Sequence, residues 1–152
     1  MKKLLCTVLA VGGLACHSAP PNTRVGDVAP GAPTPSVAVK EFFDAVHAGD
    51  LQAMSLVWGT SKGPTRETIP PAELEKREVI LQCYFNADSY GIGDGSNNVD
   101  GHRVFNVSLV RGQTVRTTNV TTVRGPGDRW YVEKLDVAAV RDFCGRGLGK
   151  QP

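Results

Sequence analysis

The sequence has few of the residues from which metal and nucleophilic sites are built. Its 152 residues include three histidines and four cysteines, and these do not follow the spacings of a zinc site or of a catalytic triad. It also lacks a Walker phosphate loop and a dinucleotide-binding fingerprint. We therefore expect no metal, no cofactor and no catalytic residue that a motif would identify.

The sequence has almost no surplus of either charge. Seventeen Lys and Arg residues against fifteen Asp and Glu residues give a formal net charge of +2. Lys2 and Lys3 account for all of it, because residues 1–15 contain no acidic side chain. The rest of the chain is formally neutral, which argues against a nucleic-acid partner.

No apolar run is long enough to cross a bilayer as a helix, which takes about 20 residues. The N-terminus instead has the pattern of an export signal. Lys2 and Lys3 form a positive start, residues 4–11 are apolar, and small residues lead to Ala15. A frayed N-terminal helix of a cytosolic protein is the alternative. The pattern favours export, with residues 1–15 removed as a signal peptide.

Export restricts how the cysteines can pair. Cys6 leaves with the signal peptide, so Cys16, Cys83 and Cys144 remain in an oxidising compartment. A bridge between Cys83 and Cys144 would close a loop of about 60 residues and contribute about 4 kcal/mol of stability. Two buried free thiols are the alternative, because sequence does not give the distance between them. If the bridge forms, Cys16 is the unpaired cysteine.

The stretch Leu14-Ala15-Cys16 after the apolar run resembles the lipobox of bacterial lipoproteins. In that family the cysteine is acylated and becomes the new N-terminus, which implies a membrane anchor at Cys16 facing the periplasm or the cell surface. Gly13 stands where leucine is usual, and Gly13-Leu14-Ala15 also suits ordinary signal peptidase. We expect lipidation, since it removes a reactive thiol and two or more acyl chains anchor a protein stably.

A tether is predicted after Cys16. The stretch HSAPPNTRVGDVAPGAPTP has five prolines, two glycines and no apolar periodicity, which is typical of an extended linker. The expected organisation is therefore a lipid-anchored linker over residues 16–34, one folded domain over residues 35–145 and a disordered tail over residues 146–152.

Three helices are predicted in the first half of the domain. Thr34 and Pro35 are typical of a helix start, and Gly49 and Asp50 indicate a stop followed by a second start. After a loop over residues 59–71, a third helix is expected over about residues 72–84. Its side chains available for burial are Leu74, Ile80, Leu81 and Tyr84.

The second half is predicted to form an antiparallel meander. Residues 103–111 alternate between apolar and polar side chains, and a tight Gly-Gln turn leads into the β-branched run TVRTTNVTTVR. A second turn leads into RWYVEKLDV. An earlier strand is expected within residues 84–92, followed by turn-forming residues 94–101. Helices followed by a meander predict an α+β fold, with the N-terminal helices packed on one face of a curved antiparallel sheet.

This organisation resembles the nuclear transport factor 2-like superfamily, the cone-shaped cystatin-like fold shared with ketosteroid isomerases and polyketide cyclases. The likeness is carried by VKEFFDAVHAGDLQAMSLVW, a helix–Gly-Asp–helix opening, and by DRWYVEKLDV, an aromatic-then-apolar final strand. It covers about residues 35–144. The resemblance implies a cavity between the sheet and the helices that is open at one end.

Five residues are the candidates to line that cavity: Trp58, Tyr84, Asp88, Tyr90 and Trp130. Isomerases of the superfamily need a carboxylate base together with a tyrosine and a protonated carboxylic acid as hydrogen-bond donors. Asp88 and Tyr90 share strand parity and hence one face of a strand. The residue types for such a site are present as Tyr84, Asp88, Tyr90, His102 and Asp136, but they do not match the isomerase motif residue by residue, so no catalytic role is assigned.

Two other patterns have simpler interpretations. Asp44 and His47 are spaced to touch on the first helix, but they flank its apolar stripe and His47 suits the helix C-terminus. The stretch DGSNNVDG, residues 94–101, offers many oxygen ligands. It fails the glycine and glutamate positions of an EF-hand, so a hairpin loop is expected.

The sequence therefore predicts an exported, membrane-anchored protein whose single domain binds a small apolar ligand or an envelope protein without catalysis. Its exposed sheet face is available for a homodimer. The alternative is a small isomerase or cyclase acting on a hydrophobic substrate. A buried carboxylate facing a tyrosine would favour the enzyme. An interior filled by side chains would favour an interaction module.

Overall fold

The computed structural model describes residues 29–98 and 100–145. The predicted signal peptide over residues 1–15, the lipidation site Cys16, most of the predicted linker and the tail over residues 146–152 lie outside the described residues. Within them the protein has an α+β fold in which three helices precede a four-stranded antiparallel sheet. This confirms the predicted fold class.

Four helices and six strands make up the described chain. The helices are α1 (Pro35–Ala48), α2 (Leu51–Val57), α3 (Pro71–Phe85) and the short α4 (Arg141–Gly145). The strands are β1 (Gly59–Thr60), β2 (Gly63–Pro64), β3 (Ser89–Asn97), β4 (Arg103–Arg111), β5 (Thr114–Arg124) and β6 (Trp130–Leu135). β1 and β2 form a small hairpin, and the main sheet has the order β3-β4-β5-β6.

The helix boundaries follow from capping residues that the sequence shows. The Thr34 hydroxyl accepts a hydrogen bond from the backbone N–H of Val37. Gly49 ends α1 in the left-handed conformation, with φ of 69°, which a side chain would strain. The Asp50 carboxylate then caps α2 by accepting from the N–H of Ala53 at 2.9 Å. The predicted ends of α1 and the start of α2 are confirmed.

The alternation in β4 places its apolar side chains against the helices. Phe105, Val107 and Leu109 are buried, and Asn106 between them is exposed. β4 pairs with β5 in continuous register, with Val107 opposite Thr118. Successive residues point to opposite faces of a strand, so one face of the sheet forms the core and the other faces solvent.

β3 extends further than the sequence predicted. The stretch expected to form a loop over residues 94–101 continues as strand to Asn97, after a register shift between Ile92 and Gly95. The ring of Phe105 lies over Gly95, where a Cβ atom would be 2.6 Å from the ring. Glycine therefore permits a close aromatic contact here, which the turn propensity of the segment does not reveal.

The segment predicted as a loop over residues 59–71 contains the β1–β2 hairpin and a short 3₁₀ turn. The hairpin packs tightly against Tyr131, because a Cβ atom on Gly59 would lie 2.5 Å from the carbonyl oxygen of Gly63 and 2.8 Å from the Tyr131 ring. The sequence predicted that this segment connects two helices without a long helix or strand of its own, but it did not predict the close packing of the segment on the sheet.

The last residues of the predicted linker, residues 16–34, belong to the folded domain. The N–H of Gly31 donates to the carbonyl of Leu56 at 2.8 Å. Ala32 is fully buried and pairs with Trp130 through two backbone hydrogen bonds of 2.9 and 2.8 Å. Composition marked this stretch as linker, but backbone pairing holds it at the edge of the sheet.

The interior between the helices and the sheet is filled by side chains. Phe42 and Phe43 of α1 pack edge to face with ring centroids 5.5 Å apart, and Phe43 packs on Phe85 of α3 at 6.0 Å. All three rings are almost fully buried, in one continuous cluster with the apolar side chains of β4, β5 and β6.

α3 presents a different face to the core from the one predicted. Leu74 and Phe85 are buried as apolar residues, but Ile80, which was expected to be available for burial, is 54% exposed. Glu78 is buried instead. The apolar side chains of α3 lie all around the helix, so their pattern alone did not select the buried face.

The predicted bridge between Cys83 and Cys144 is present. Their sulfur atoms are 2.04 Å apart and their Cα atoms 5.0 Å apart. The bridge joins the last turn of α3 to α4 across 61 residues of sequence. It therefore fastens the end of the described chain to the helical layer.

Replacing both bridge residues, Cys83→Ser with Cys144→Ser, should lower the free energy of unfolding by about 4 kcal/mol, because the unfolded chain regains loop entropy. Urea denaturation followed by circular dichroism would measure it. The wild type in reductant should match the variant, and the variant should not respond to reductant. An unchanged unfolding midpoint in the variant would show that the bridge contributes no stability.

Candidate functional site

Tyr90, one of the two candidate tyrosines, contacts the carboxylate of Asp44. The Tyr90 hydroxyl donates to Oδ1 of Asp44 on α1 at 2.6 Å, and its ring packs on Phe43 with centroids 5.3 Å apart. Asp44 also accepts from the ammonium group of Lys40. Shared strand parity placed Tyr90 beside Asp88, but the contact that forms runs across to the helix.

The ionisation of the Tyr90–Asp44 pair is fixed by its surroundings. The hydrogen bonds from Lys40 and from the Tyr90 hydroxyl hold the pKa of Asp44 below its usual range. Burial and the hydrogen bond to Asp44 raise the pKa of Tyr90. Asp44 is half exposed and is therefore a charged acceptor at neutral pH, whereas Tyr90 remains a protonated donor.

Asp88 and His47 hold the backbone where α1, β3 and the β4–β5 hairpin meet. The Asp88 carboxylate accepts from the N–H of Gly112 at 2.7 Å, which fixes the hairpin turn. His47 Nδ1 lies 3.0 Å from the carbonyl oxygen of Ala87. Asp44 and His47, which are spaced to touch on α1, therefore each bond to another group.

The remaining candidates lie apart from one another. Trp58 follows α2, is half buried and bridges in parallel to Val132. Tyr84 is half buried against the core from α3. Trp130 is buried on β6, with the guanidinium of Arg124 5.1 Å from its ring centroid. Asp88 and Trp130 line different cavities of the described chain.

An open groove of about 850 Å³ lies where α3, α4 and the β4–β5 hairpin meet. We call it the disulfide groove, because Cys83 and Cys144 form part of its wall. Its lining mixes apolar and polar groups, among them Val79, Gln82, Asp88, Thr114 and Phe143.

Arg111 holds the walls of the disulfide groove together. Its guanidinium donates to the backbone carbonyls of Cys83, Asn86 and Phe143 and lies 4.6 Å from the centroid of the Phe143 ring. Because its donors are used in joining α3, α4 and β4, Arg111 acts as a structural link across the groove and leaves little capacity to bind an anion.

α4 is fixed from a second side by an ion pair. Arg116 of β5 bonds both carboxylate oxygens of Asp142, at 2.7 and 3.3 Å. A two-point contact of this kind fixes the orientation of both side chains. The disulfide groove is therefore bounded by elements held by a covalent bridge, an ion pair and the Arg111 hydrogen bonds.

A second, smaller cavity of about 400 Å³ lies between α2 and α3. Glu78 lines it and is only 2% exposed, and its Oε1 atom has no hydrogen-bond partner among the described residues. Burial is the main cause that raises the pKa of Glu78 from 4.5 to about 7. Glu75 raises the pKa further, and Arg66 opposes the shift.

Sequence reasoning missed Glu78 although the sequence contains a signal for it. Leu74, Glu78, Leu81 and Phe85 are spaced by four, three and four residues, which is the spacing of one helix face. A glutamate on an otherwise apolar face is costly to bury.

Comparison with known proteins does not assign the chain, since no family model, curated protein or solved structure matches it. Among the described residues, no group of three or more His, Cys, Asp and Glu side chains is placed to hold a metal ion. No helix in the described ranges is long and apolar enough to span a membrane.

Glu78→Gln should remove a pH-dependent loss of stability. Because the folded state raises the pKa of this carboxyl from 4.5 to about 7, the wild type should lose stability as the pH rises through that window. At pH 8 the variant should be more stable than the wild type by roughly 2 kcal/mol.

Urea denaturation at several pH values would measure this difference. The matched control is Glu73→Gln, which changes a half-exposed glutamate of the same helix and should leave the pH profile of the wild type intact. Parallel profiles for the wild type and Glu78→Gln would contradict the burial of an ionisable Glu78.

Proposed function

We propose that this protein is an exported lipoprotein, anchored through Cys16, whose domain binds another protein at the cell envelope without catalysis. The anchor faces the periplasm or the cell surface, and the proline-rich linker carries the domain away from the membrane. The signal-like N-terminus and the lipobox-like stretch before Cys16 support export and anchoring.

The filled interior is the observation that carries the choice of a binding module over an enzyme. The side chains of Phe42, Phe43 and Phe85 occupy the space that a ligand would need between the helices and the sheet. A substrate pocket normally needs a preformed cavity in which polar groups converge. Here the available concave surfaces lie at the periphery.

The disulfide groove is the surface that we assign to the protein partner. It is open to solvent and has a volume of about 850 Å³. Val79, which lines it, is an apolar side chain that remains 49% exposed. Because its walls are already fixed by Arg111 and the disulfide, binding there costs little ordering of the domain.

We further propose a nuclear transport factor 2-like domain, with the outer sheet face as the contact of a homodimer. The helix–Gly-Asp–helix opening and the helices-then-meander order support the family. The outer face carries the small, uncharged cross-strand pairs Asn106–Asn119 and Ser108–Thr117, so a second copy would meet no charge at these pairs.

An isomerase or cyclase remains the alternative, and the Tyr90–Asp44 pair is the observation in its favour. Its tyrosine is a strong hydrogen-bond donor beside a carboxylate. However, that carboxylate is half exposed and ionised, and the buried carboxyl with a raised pKa, Glu78, lies in a different cavity. The tyrosine and the protonated carboxylic acid that such a reaction needs are therefore separated.

Lipid attachment at Cys16 should be visible directly. The wild type, grown with a labelled fatty acid, should carry label and sediment with membranes, and Cys16→Ser should be unlabelled. Mass spectrometry of the N-terminal peptide should show a diacylated cysteine at residue 16. An unmodified N-terminus in the soluble fraction would contradict the anchor while leaving the fold of the domain unaffected.

Photo-crosslinking should locate a partner at the disulfide groove. A photoreactive amino acid at position 79 should give a discrete protein adduct in cells. The same amino acid at position 80 should not, because Ile80 is equally exposed on α3 but does not line the groove. An adduct of twice the chain mass would indicate a second copy. Equal labelling from both positions, or none from either, would contradict the proposal.

A further inference from the structure

The cavity between α2 and α3 has opposite charges on its lining that do not pair with each other. Glu75, Glu78 and Arg66 all line it. Arg66 lies near enough to influence the ionisation of Glu78, yet neither carboxylate forms an ion pair with Arg66 among the described residues. The guanidinium of Arg66 is therefore not in direct contact with either carboxylate.

The buried carboxyl of Glu78 needs a donor that the protein does not supply. Its Oε1 atom is buried and has no partner within the described ranges, and the side chain itself lines the cavity. Leaving such a group unpaired costs about 1–3 kcal/mol, and more when it is charged. The nearby hydroxyl of Ser55 does not compensate, because it donates to the carbonyl oxygen of Gln52 at 2.7 Å.

The size of the cavity and the apolar part of its lining restrict which ligand can occupy it. The cavity is about 400 Å³, which lies at the lower end of the range for small-molecule sites, about 300–1,000 Å³. Leu51, Leu74 and Pro71 provide apolar contact beside the charges. A ligand that satisfies the whole cavity is small, with a positive group, a negative group and a short apolar part.

We propose that the cavity between α2 and α3 binds a free α-amino acid with a short apolar side chain. Its ammonium group donates to the carboxylates of Glu78 and Glu75, and its carboxylate accepts from the guanidinium of Arg66. The apolar side chain packs against Leu51 and Leu74. This site lies nearer to the N-terminal end of α3 than the disulfide groove does, and it does not depend on the proposed partner.

A metal ion explains the same residues less well. Calcium takes six or more oxygen ligands, and magnesium requires octahedral coordination. The cavity offers two carboxylates beside a guanidinium, and no metal-holding cluster is found in the described chain. The positive charge of Arg66 opposes a cation but matches the carboxylate of an amino acid.

Calorimetric titration of the purified full-length protein with L-valine tests the proposal. Isobutylamine lacks the carboxylate and isovalerate lacks the ammonium group, so each should bind at least about tenfold more weakly than valine, the loss expected for one charged contact. Chemical shifts of the backbone amides of Gln52 and Ser55 should respond to valine. Isobutylamine binding as tightly as valine would overturn the role of Arg66.

Variants and pH separate this site from nonspecific binding. Glu78→Gln and Arg66→Gln should each weaken valine binding at least about tenfold, whereas Glu73→Gln, on the same helix but outside the cavity, should not. Glu75, Glu78 and Arg66 are the charged groups that line the site. Valine should bind more weakly at pH 5.5 than at pH 8, because protonated Glu78 loses its charge.

Three outcomes would overturn the proposal. The first is the absence of both heat and amide shifts with valine at pH 8. The second is binding that Glu78→Gln leaves unchanged. The third is a calcium or magnesium titration that gives heat with the wild type and none with Glu78→Gln, because the cavity would then be a metal site.

Discussion

The structure depends on how a single helical layer covers one face of the sheet. α1 supplies Phe42 and Phe43, which pack edge to face and meet Phe85 of α3 above the buried row of β4. Close-packed interiors leave few voids larger than a water molecule. Because these rings fill the space, the disulfide groove and the Glu78 cavity lie at the margins, where helices meet one another or meet the hairpin.

The two peripheral cavities follow from the position of α3. One side of its C-terminal half is tied to α4 by the disulfide and by Arg111, which leaves the open groove lined by Val79. Its N-terminal half faces α2 across the cavity that contains Glu78. The phenylalanine rings fill the space between the helices and the sheet, and polar side chains line both the groove and the cavity.

The features that the sequence predicted are those set by local chemistry. Thr34, Gly49 and Asp50 determine helix ends through contacts within a few residues of chain. The alternation of β4 determines its buried face in the same way. The pairing of Cys83 with Cys144 was also foreseen, because the cysteine count and the expected export limited the choices.

The features that the sequence did not predict depend on contacts between distant segments. The acceptor for Tyr90 is Asp44, 46 residues away, and strand parity says nothing about such a partner. Gly95 belongs to β3 because it pairs with Phe105 of β4, whose ring occupies the space beside it. Glu78 lies on the apolar face of its helix, and the apolar residues elsewhere around α3 obscured which face is buried.

The central claim is that binding takes place at the periphery and not between the helices and the sheet. Methyl-resolved NMR during titration with a hydrophobic steroid-like ligand and with valine tests it most directly. The account predicts that the methyl groups of Val107 and Leu109, beneath the helices, do not shift with either ligand, whereas those of Leu51 and Leu74 respond to valine. Saturable shifts at Val107 and Leu109 with the steroid would contradict it and would indicate an internal pocket.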